Sequence, residues 1–245
     1  MTIQNKTVIV TGAGRGIGRA TARHLAACGA RLVLGARTEP EIAAVAAEIK
    51  AAGGEAAYRA TDVTRRSELT ALVDRACERF GGLDVIVSNA GIGPISRFDA
   101  LRVDDWDAMI DVNLKGTLYG IAAALPVFAR QESGHIINVL STAGLQILPT
   151  MGVYAATKNA LRTATEALRQ ESGQGLRVTE VSPGFVDTGF ADFSITDPEL
   201  KAAINKRKDE LAISPDAIAR AVAFAIDQPE DVEIGSIVVR PTAQH

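Results

Sequence analysis

Short apolar runs rich in β-branched residues recur along the chain. They are TVIV at 7–10, RLVLGA at 31–36, LDVIVS at 83–88, HIINVLS at 135–141, LRVTEVS at 176–182 and SIVVR at 236–240, with AAYRATD at 56–62 as a weaker seventh. Most are near-continuously apolar rather than alternating, the pattern of strands buried on both faces. Between them the period changes. Ile42, Val45 and Ile49 fall at i, i+3 and i+7, and Leu69, Leu72, Val73, Ala76 and Phe80 trace a fuller stripe, so both segments predict helices with one apolar face. Thr38 and Glu41 have the spacing of a capping box at the start of the first helix. Gly29, Gly53 and Gly81 stand where left-handed caps end helices.

Strand alternating with helix predicts an α/β fold: a single doubly wound, Rossmann-type domain over residues 1–245, its seven-stranded parallel sheet flanked by helices on both faces. No Pro/Ser-rich linker, internal repeat or low-complexity tract interrupts it. Such sheets take ligands outside the carboxyl ends of their strands, which is where chemistry is to be sought.

Bulk properties narrow the classes. At 245 residues, 47% apolar, the chain suffices for one large core. A net charge of −3 offers no footprint for nucleic acid, and no Lys/Arg cluster suits an anionic membrane. No apolar run of about 18 residues predicts a spanning helix, and MTIQNKTVIVTG lacks the ordered regions of a signal peptide. Cys28 and Cys77 lie in helix-like segments, so a disulfide framework is not expected. His24, His135 and His245 are scattered without metal-ligand spacing. The expectation is a soluble cytoplasmic protein without structural metal.

The first strand runs into VTGAGRGIGRA at 10–20, with glycines at 12, 14, 16 and 18 in a strand-to-helix turn. Such a turn lets backbone N–H groups approach a phosphate, although a plain tight turn has the same composition. The strict G-x-G-x-x-G fingerprint is not present in this register. Arg15 opposes the macrodipole of the following helix by roughly 0.3–1 kcal/mol, which a bound phosphate would offset. The second strand ends LGART at 34–38, with Ala36 and Arg37 where an NAD-preferring chain would carry an acidic residue, and no carboxylate at that turn. A guanidinium grips a 2′-phosphate in a bidentate way, so NADP(H) is expected over NAD(H); Arg37 alone could equally be a solvated surface residue. Asp62-Val63 and SNAG at 88–91 end the third and fourth strands, as binding loops or as simple turns.

VYAATKNAL at 153–161 places Tyr154, one of only three tyrosines, one helical turn before Lys158. The fragment alone leaves open whether the pair is catalytic or merely exposed on a solvated helix. The ordered set does more. T-G-x-x-x-G-x-G at Thr11 to Gly18, N-A-G at 89–91, Asn113, Ser141 thirteen residues before Tyr154, Y-x-x-x-K, and P-G at 183–184 with Thr188 together resemble the short-chain dehydrogenases/reductases. Ser88 in place of a commoner Asn and Thr142 in place of a second Ser are departures that remove no catalytic group.

The resemblance implies roles. Gly12, Gly16, Ile17 and Gly18 would shape the pyrophosphate turn, with Arg15 and Arg37 at the 2′-phosphate. Asp62 and Val63 would lie by the adenine, and Asn89, Ala90 and Gly91 by the adenosine ribose. Pro183, Gly184, Val186 and Thr188 would serve the nicotinamide end. Tyr154 would be the general acid/base of a carbonyl–alcohol interconversion. Its free pKa near 10 is too high for easy cycling, and the Lys158 ammonium with the oxidised nicotinamide would lower it. Lys158 would also hold the nicotinamide ribose. Ser141 would hydrogen-bond the substrate oxygen, and Asn113 would hold a water linking Lys158 to solvent. A strand-ending turn and a local helix irregularity are the plain structural alternatives for Ser141 and Asn113.

Pocket walls are expected from IGPISRF (92–98), AGLQILPTMG (143–152) and FVDTGFADFSI (185–195), with Leu145, Ile147, Met151, Phe185, Phe190 and Phe193 as apolar candidates and Arg97 as a charged one near the rim. They suit an apolar ketone, aldehyde or secondary alcohol. Residues 188–213 read as a lid. VVRPTAQH resembles the tails of some NADP-dependent members. Family members are commonly homotetramers or homodimers; the alanines of TKNALRTATEALRQ suit such an interface or internal core equally. Two other readings are an epimerase or dehydratase with transient cofactor use, and a non-catalytic NADP(H)-binding regulatory protein.

Overall fold

In a computed structural model, described over residues 3–190, 194–195 and 197–244, every expected strand forms. Phe193, His245 and residues 191–193 and 196 of the expected lid lie outside the described residues. The first half alternates β1 (Thr7–Thr11), α1 (Gly16–Ala27), β2 (Arg31–Ala36), α2 (Glu39–Ala51), β3 (Glu55–Ala60), α3 (Arg66–Phe80) and β4 (Val85–Ser88). The second half adds α4 (Val103–Met109), α5 (Gly116–Gln131), β5 (Gly134–Val139), α6 (Gly152–Glu171), β6 (Leu176–Pro183), α7 (Pro198–Leu211), α8 (Pro215–Ile226) and β7 (Ser236–Val239). All seven strands are parallel, in the order β3-β2-β1-β4-β5-β6-β7. The family's Rossmann-type sheet is therefore present, and its order reverses between β1 and β4.

The near-continuous apolar strands now have their reason. Along β1, Val8 and Val10 face a core shared with Leu25 of α1, Ile42 of α2 and Val222 of α8. Ile9, between them, faces a second core with Leu72 of α3 and Ala124 and Phe128 of α5. Successive side chains point to opposite faces, so a strand covered on both sides must be apolar throughout. Each fully buried Val or Ile contributes on the order of 1.5–3 kcal/mol. Gly29, Gly53 and Gly81 take φ of 88°, 86° and 87° and end their helices as expected.

The helix between β4 and β5 departs from expectation. Residues Val103–Gln131 form one run, long and apolar enough by length and composition to cross a bilayer. Its scattered Gly, Thr and charged residues hid it from a search for an unbroken apolar stretch. Ile121, Val127 and Phe128 spend its apolarity on the second core. The run is not uniformly α-helical: Ile110–Lys115 is wound as a π-helix, with Asn113 buried on its inner side. The helix irregularity that might have explained Asn113 away is real, and it is what turns that side chain inward.

His135 on β5 is buried, and the local hydrogen bonds fix its tautomer. The Thr179 hydroxyl donates to the Ile234 carbonyl (2.7 Å), so it can only accept from His135 Nε2 at 2.8 Å. Nδ1 is then a buried acceptor without a partner. Burial, with Arg177 and Lys6 nearby, pushes the imidazole from 6.5 down to about 3. Above pH 6.5 the ring is neutral both folded and unfolded. Below that value the unfolded chain binds a proton that the folded chain refuses, so stability falls with acidification down to about pH 3. The expected excess is roughly 1.4 kcal/mol per pH unit between pH 6 and 4. Urea denaturation of the wild type and of His135→Gln across this range checks it, and parallel pH slopes for the two proteins would discard the assignment.

Candidate active site

At the reversal point, β1 and β4 part and a cavity of about 410 Å³ opens beyond their carboxyl ends. The glycine turn forms its floor. Gly12 and Gly16 hold φ of 63° and 52°, which side chains other than glycine's rarely tolerate. A Cβ on Gly18 would strike the Gly12 carbonyl and the Asn89 amide. Asn89 braces the turn: its Nδ2 donates to the carbonyls of Thr11 (2.9 Å) and Gly12 (3.4 Å). Its side chain is thus committed to the loop, while Asn89, Ala90 and Gly91 line the cavity. Thr188 lines the cavity and packs against this turn, 3.0 Å from where a Gly16 Cβ would stand.

Ile17, Arg15, Arg37, Asp62 and Val63 line one end of the cavity. No carboxylate stands in the LGART turn itself, but Glu41, three residues beyond it, reaches the same corner. Thr38 makes no side-chain cap to α2, so the capping box does not form. Glu41 turns away from the helix start, and one carboxylate oxygen lies 3.4 Å from the Arg15 guanidinium. The other would lie 2.7 Å from a Cβ on Gly14. A charged partner across the groove outcompetes the backbone amide as the target of Glu41. Burial works to raise the Asp62 pKa, but hydrogen bonds from the Thr64 amide and hydroxyl, with Arg37 and Arg65 nearby, outweigh it and hold the carboxyl low.

Four side chains converge toward the other end. Ser141 follows β5 and caps a single 3-10 turn, its Oγ accepting from the Ala143 amide at 3.1 Å. Its side chain and that of Tyr154 line the same cavity, near enough for the serine to lower the pKa of the phenol. Lys158, one turn farther along α6, is buried, donates to the Val139 carbonyl at 3.1 Å and lies 5.9 Å from the Tyr154 ring centre. Asn113 Oδ1 accepts from the Ile92 amide (2.8 Å), while Nδ2 donates to the Ile92 carbonyl (2.9 Å) and to Thr157 (3.1 Å). A Cβ on Gly91 would sit 3.3 Å from Asn113 Oδ1 and 3.5 Å from Lys158 Nζ, so the absence of one leaves space where these groups meet.

Burial dominates both titrating groups. It raises the Tyr154 pKa above 10 against the lowering effect of Ser141, and it pushes Lys158 from 10.5 down to about 8. The ammonium of Lys158 does not by itself bring the phenol into the neutral range. Any lowering must come from positive charge delivered to the cavity.

The apolar wall is only partly the one expected. Met151, Phe185 and Phe190 line the cavity, Phe190 with its ring 5.8 Å from that of Tyr154. Leu145 and Ile147 are 44% and 78% exposed and lie outside it; Leu148 takes their place. Arg97 pairs with Asp99 at 2.9 Å on the surface and does not line the cavity. Ile92, Ile95 and Ile195 come from the expected wall segments, though they were not among the apolar candidates singled out, and Ile204 comes from residues 188–213. Leu200 and Ile204 of α7 pack against Ile95 and Ile195, as Met151 and Tyr154 do, so α7 covers this end. Lys208 and Gln244 were also missed; nothing in their local sequence announces them.

The profile of the short chain dehydrogenase family matches residues 6–198. An uncharacterized oxidoreductase of Listeria monocytogenes is 47% identical over 247 residues, covering 100% of this chain and 99% of the relative. Among solved structures, an alcohol dehydrogenase from Thermococcus sibiricus complexed with 5-hydroxy-NADP superposes with a TM-score of 0.88 at 32% identity, covering 99% of each chain. A short chain dehydrogenase/reductase from Burkholderia phymatum in complex with NAD gives 0.87 at 29%, covering 97% of this chain and 90% of that one. With the reversed parallel sheet, the glycine turn and the Ser141–Tyr154–Lys158 cluster in place, the chain belongs to the short-chain dehydrogenase/reductase family of oxidoreductases.

Proposed function

We propose that the protein is an NADP(H)-dependent oxidoreductase interconverting an apolar ketone or aldehyde and its alcohol. One observation carries the reading: Ser141, Tyr154 and Lys158 share a single cavity with the Arg15–Arg37 corner. Glycines 12, 14 and 16 line the groove and present no side chain to it, which suits the close approach of a dinucleotide. The Thermococcus relative carries an NADP derivative and the Burkholderia relative NAD, so this chain's own corner decides its preference. Arg15 and Arg37 favour the 2′-phosphate, and Glu41 works against it.

When bound, the nicotinamide supplies or takes up the hydride. Tyr154 gives its proton to the substrate oxygen in reduction and takes it back in oxidation. Ser141 holds that oxygen by a hydrogen bond as charge develops on it. Lys158 holds the nicotinamide ribose, and Asn113, beside it, positions a water that passes protons toward solvent. Met151, Phe190 and Ile195 exclude bulk water from the reacting end, which strengthens each of these interactions. We read the assembly as a homodimer or homotetramer of a single-domain chain.

Calorimetric titration with NADPH and NADH tests the cofactor choice: a tenfold preference for NADPH, about 1.4 kcal/mol, is expected, and equal affinities would remove the 2′-phosphate from the reading. Arg37→Asp should weaken NADPH far more than NADH, while Glu41→Gln should tighten NADPH several-fold and leave NADH alone. Turnover is assayed with acetophenone, 2-octanone and benzaldehyde. Tyr154→Phe should lower kcat by roughly 10²–10⁴-fold with the NADPH Kd moved less than threefold; a variant retaining a tenth of the activity would exclude Tyr154 as the proton donor.

Lys158 makes a separate prediction about stability. Because burial disfavours its ammonium, the folded state carries a full cost below about pH 8, and that cost fades as pH rises toward the unfolded value of 10.5. Lys158→Met should therefore abolish activity yet stabilise the fold on the order of 1–3 kcal/mol at pH 7. The gain should shrink between pH 8 and 10.5. Urea midpoints at pH 7 and 10 decide the matter, and a destabilised variant at pH 7 would contradict the burial cost.

A further inference from the structure

The C-terminal tail reaches back to the cavity. After β7 the chain turns at Pro241, whose carbonyl accepts from the Gln244 amide nitrogen at 3.0 Å, and the Gln244 side chain joins the cavity wall. One donor fixes the orientation of that side chain. The Phe185 backbone N–H can only donate, and it meets Gln244 Oε1 at 2.9 Å. Nε2 must then face the opposite way, where it donates to Thr142 Oγ1 at 3.3 Å. Between the tail and this loop there is no room for a side chain at 184. A Cβ on Gly184 would collide with Gln244 Oε1 and lie 2.7 Å from Arg240 Cβ. The glycine of the Pro183-Gly184 motif is thus accounted for by the docked tail.

The two loops joined by this amide lead to different parts of the site. Thr142 is the chain neighbour of Ser141, and its carbonyl accepts from Gln146, another wall residue. Phe185 passes the connection to the cover of the cavity: its carbonyl accepts from Ile213 at 3.1 Å, and the Asp187 amide donates back to the Ile213 carbonyl at 3.0 Å. Ile213 stands just beyond α7. A single side chain therefore spans the serine loop and the anchor of the covering helix.

We propose that Gln244 is a positioning residue that sets the Ser141 loop and the base of α7 in register with each other. The proposal rests on the oxidoreductase reading above for its catalytic consequence, but not for its structural one. Gln244→Met keeps the length and removes both hydrogen bonds; Gln244→Glu keeps an acceptor for the Phe185 N–H and for the Thr142 hydroxyl.

In the cofactor-free protein, hydrogen exchange at the amides of Phe185 and Ile213 should quicken tenfold or more in Gln244→Met and return near the wild-type rate in Gln244→Glu. Amides of β1 to β5 should not change. With NADPH and whichever of the three test carbonyls the wild type reduces, Gln244→Met should lower kcat at least tenfold and move the NADPH Kd less than threefold. Unchanged exchange at Phe185 and Ile213, or faster exchange throughout the sheet, overturns the proposal. If the wild type reduces none of the carbonyls while the exchange results hold, the oxidoreductase reading fails and the tail clamp stands.

Discussion

Where the order of the sheet reverses, β1 and β4 part toward different loops, and backbone groups at their ends would lose partners unless side chains met them. Thr11 and Asn89 do this. The Thr11 hydroxyl donates to the Val87 carbonyl at 3.4 Å and accepts from the amides of Asn89 (3.0 Å) and Ala90 (3.1 Å), which uses all its capacity. Asn89 returns the favour by donating to the carbonyls of Thr11 and Gly12. The seam is thereby held at a fixed width, and the glycine turn is pinned at its mouth. The Arg15–Arg37 corner and the Gly91 junction with Lys158 both hang from this seam, so their separation is set by it.

Burial does opposite things at the two ends of the cavity. At the Arg15–Arg37 corner the charges are half exposed, with Arg15 and Glu41 retaining 45% and 37% exposure, and such pairs are cheap to open and re-form. At the Tyr154–Lys158 end burial sets the protonation states instead, holding the phenol protonated and making the ammonium easier to lose. A buried, cavity-lining lysine kept at such a cost is a local violation of stability rules of the kind functional sites show. The π-wound segment at Asn113 is a second one, spending regular helix geometry to turn an amide inward.

Much of this was legible in the sequence, for identifiable reasons. Continuous apolar runs marked strands because both faces are covered, and the glycines at 29, 53 and 81 marked helix ends because a positive φ was needed there. The Tyr154–Lys158 spacing fixed a shared helix face. What escaped were directions that spacing does not encode. Glu41 stood at the right offset for a capping box, yet the cation across the groove decided where it points. In the loop after Ser141, Leu145 and Ile147 were as apolar as Leu148, but only backbone geometry determines which one turns inward. The long helix of residues 103–131 hid its apolarity among small residues.

The apolar end of the cavity is built from segments far apart in the chain: Ile92 and Ile95 after β4, Leu148 and Met151 before α6, Phe185 and Phe190 after β6, and Ile204 on α7. α7 buries none of its residues and is attached through Leu200 and Ile204 to a small cluster that includes the Tyr154 ring. A helix fastened to the rest of the fold by a few apolar contacts is weakly held. The apolar wall at this end of the cavity and the surface that holds α7 are therefore the same surface.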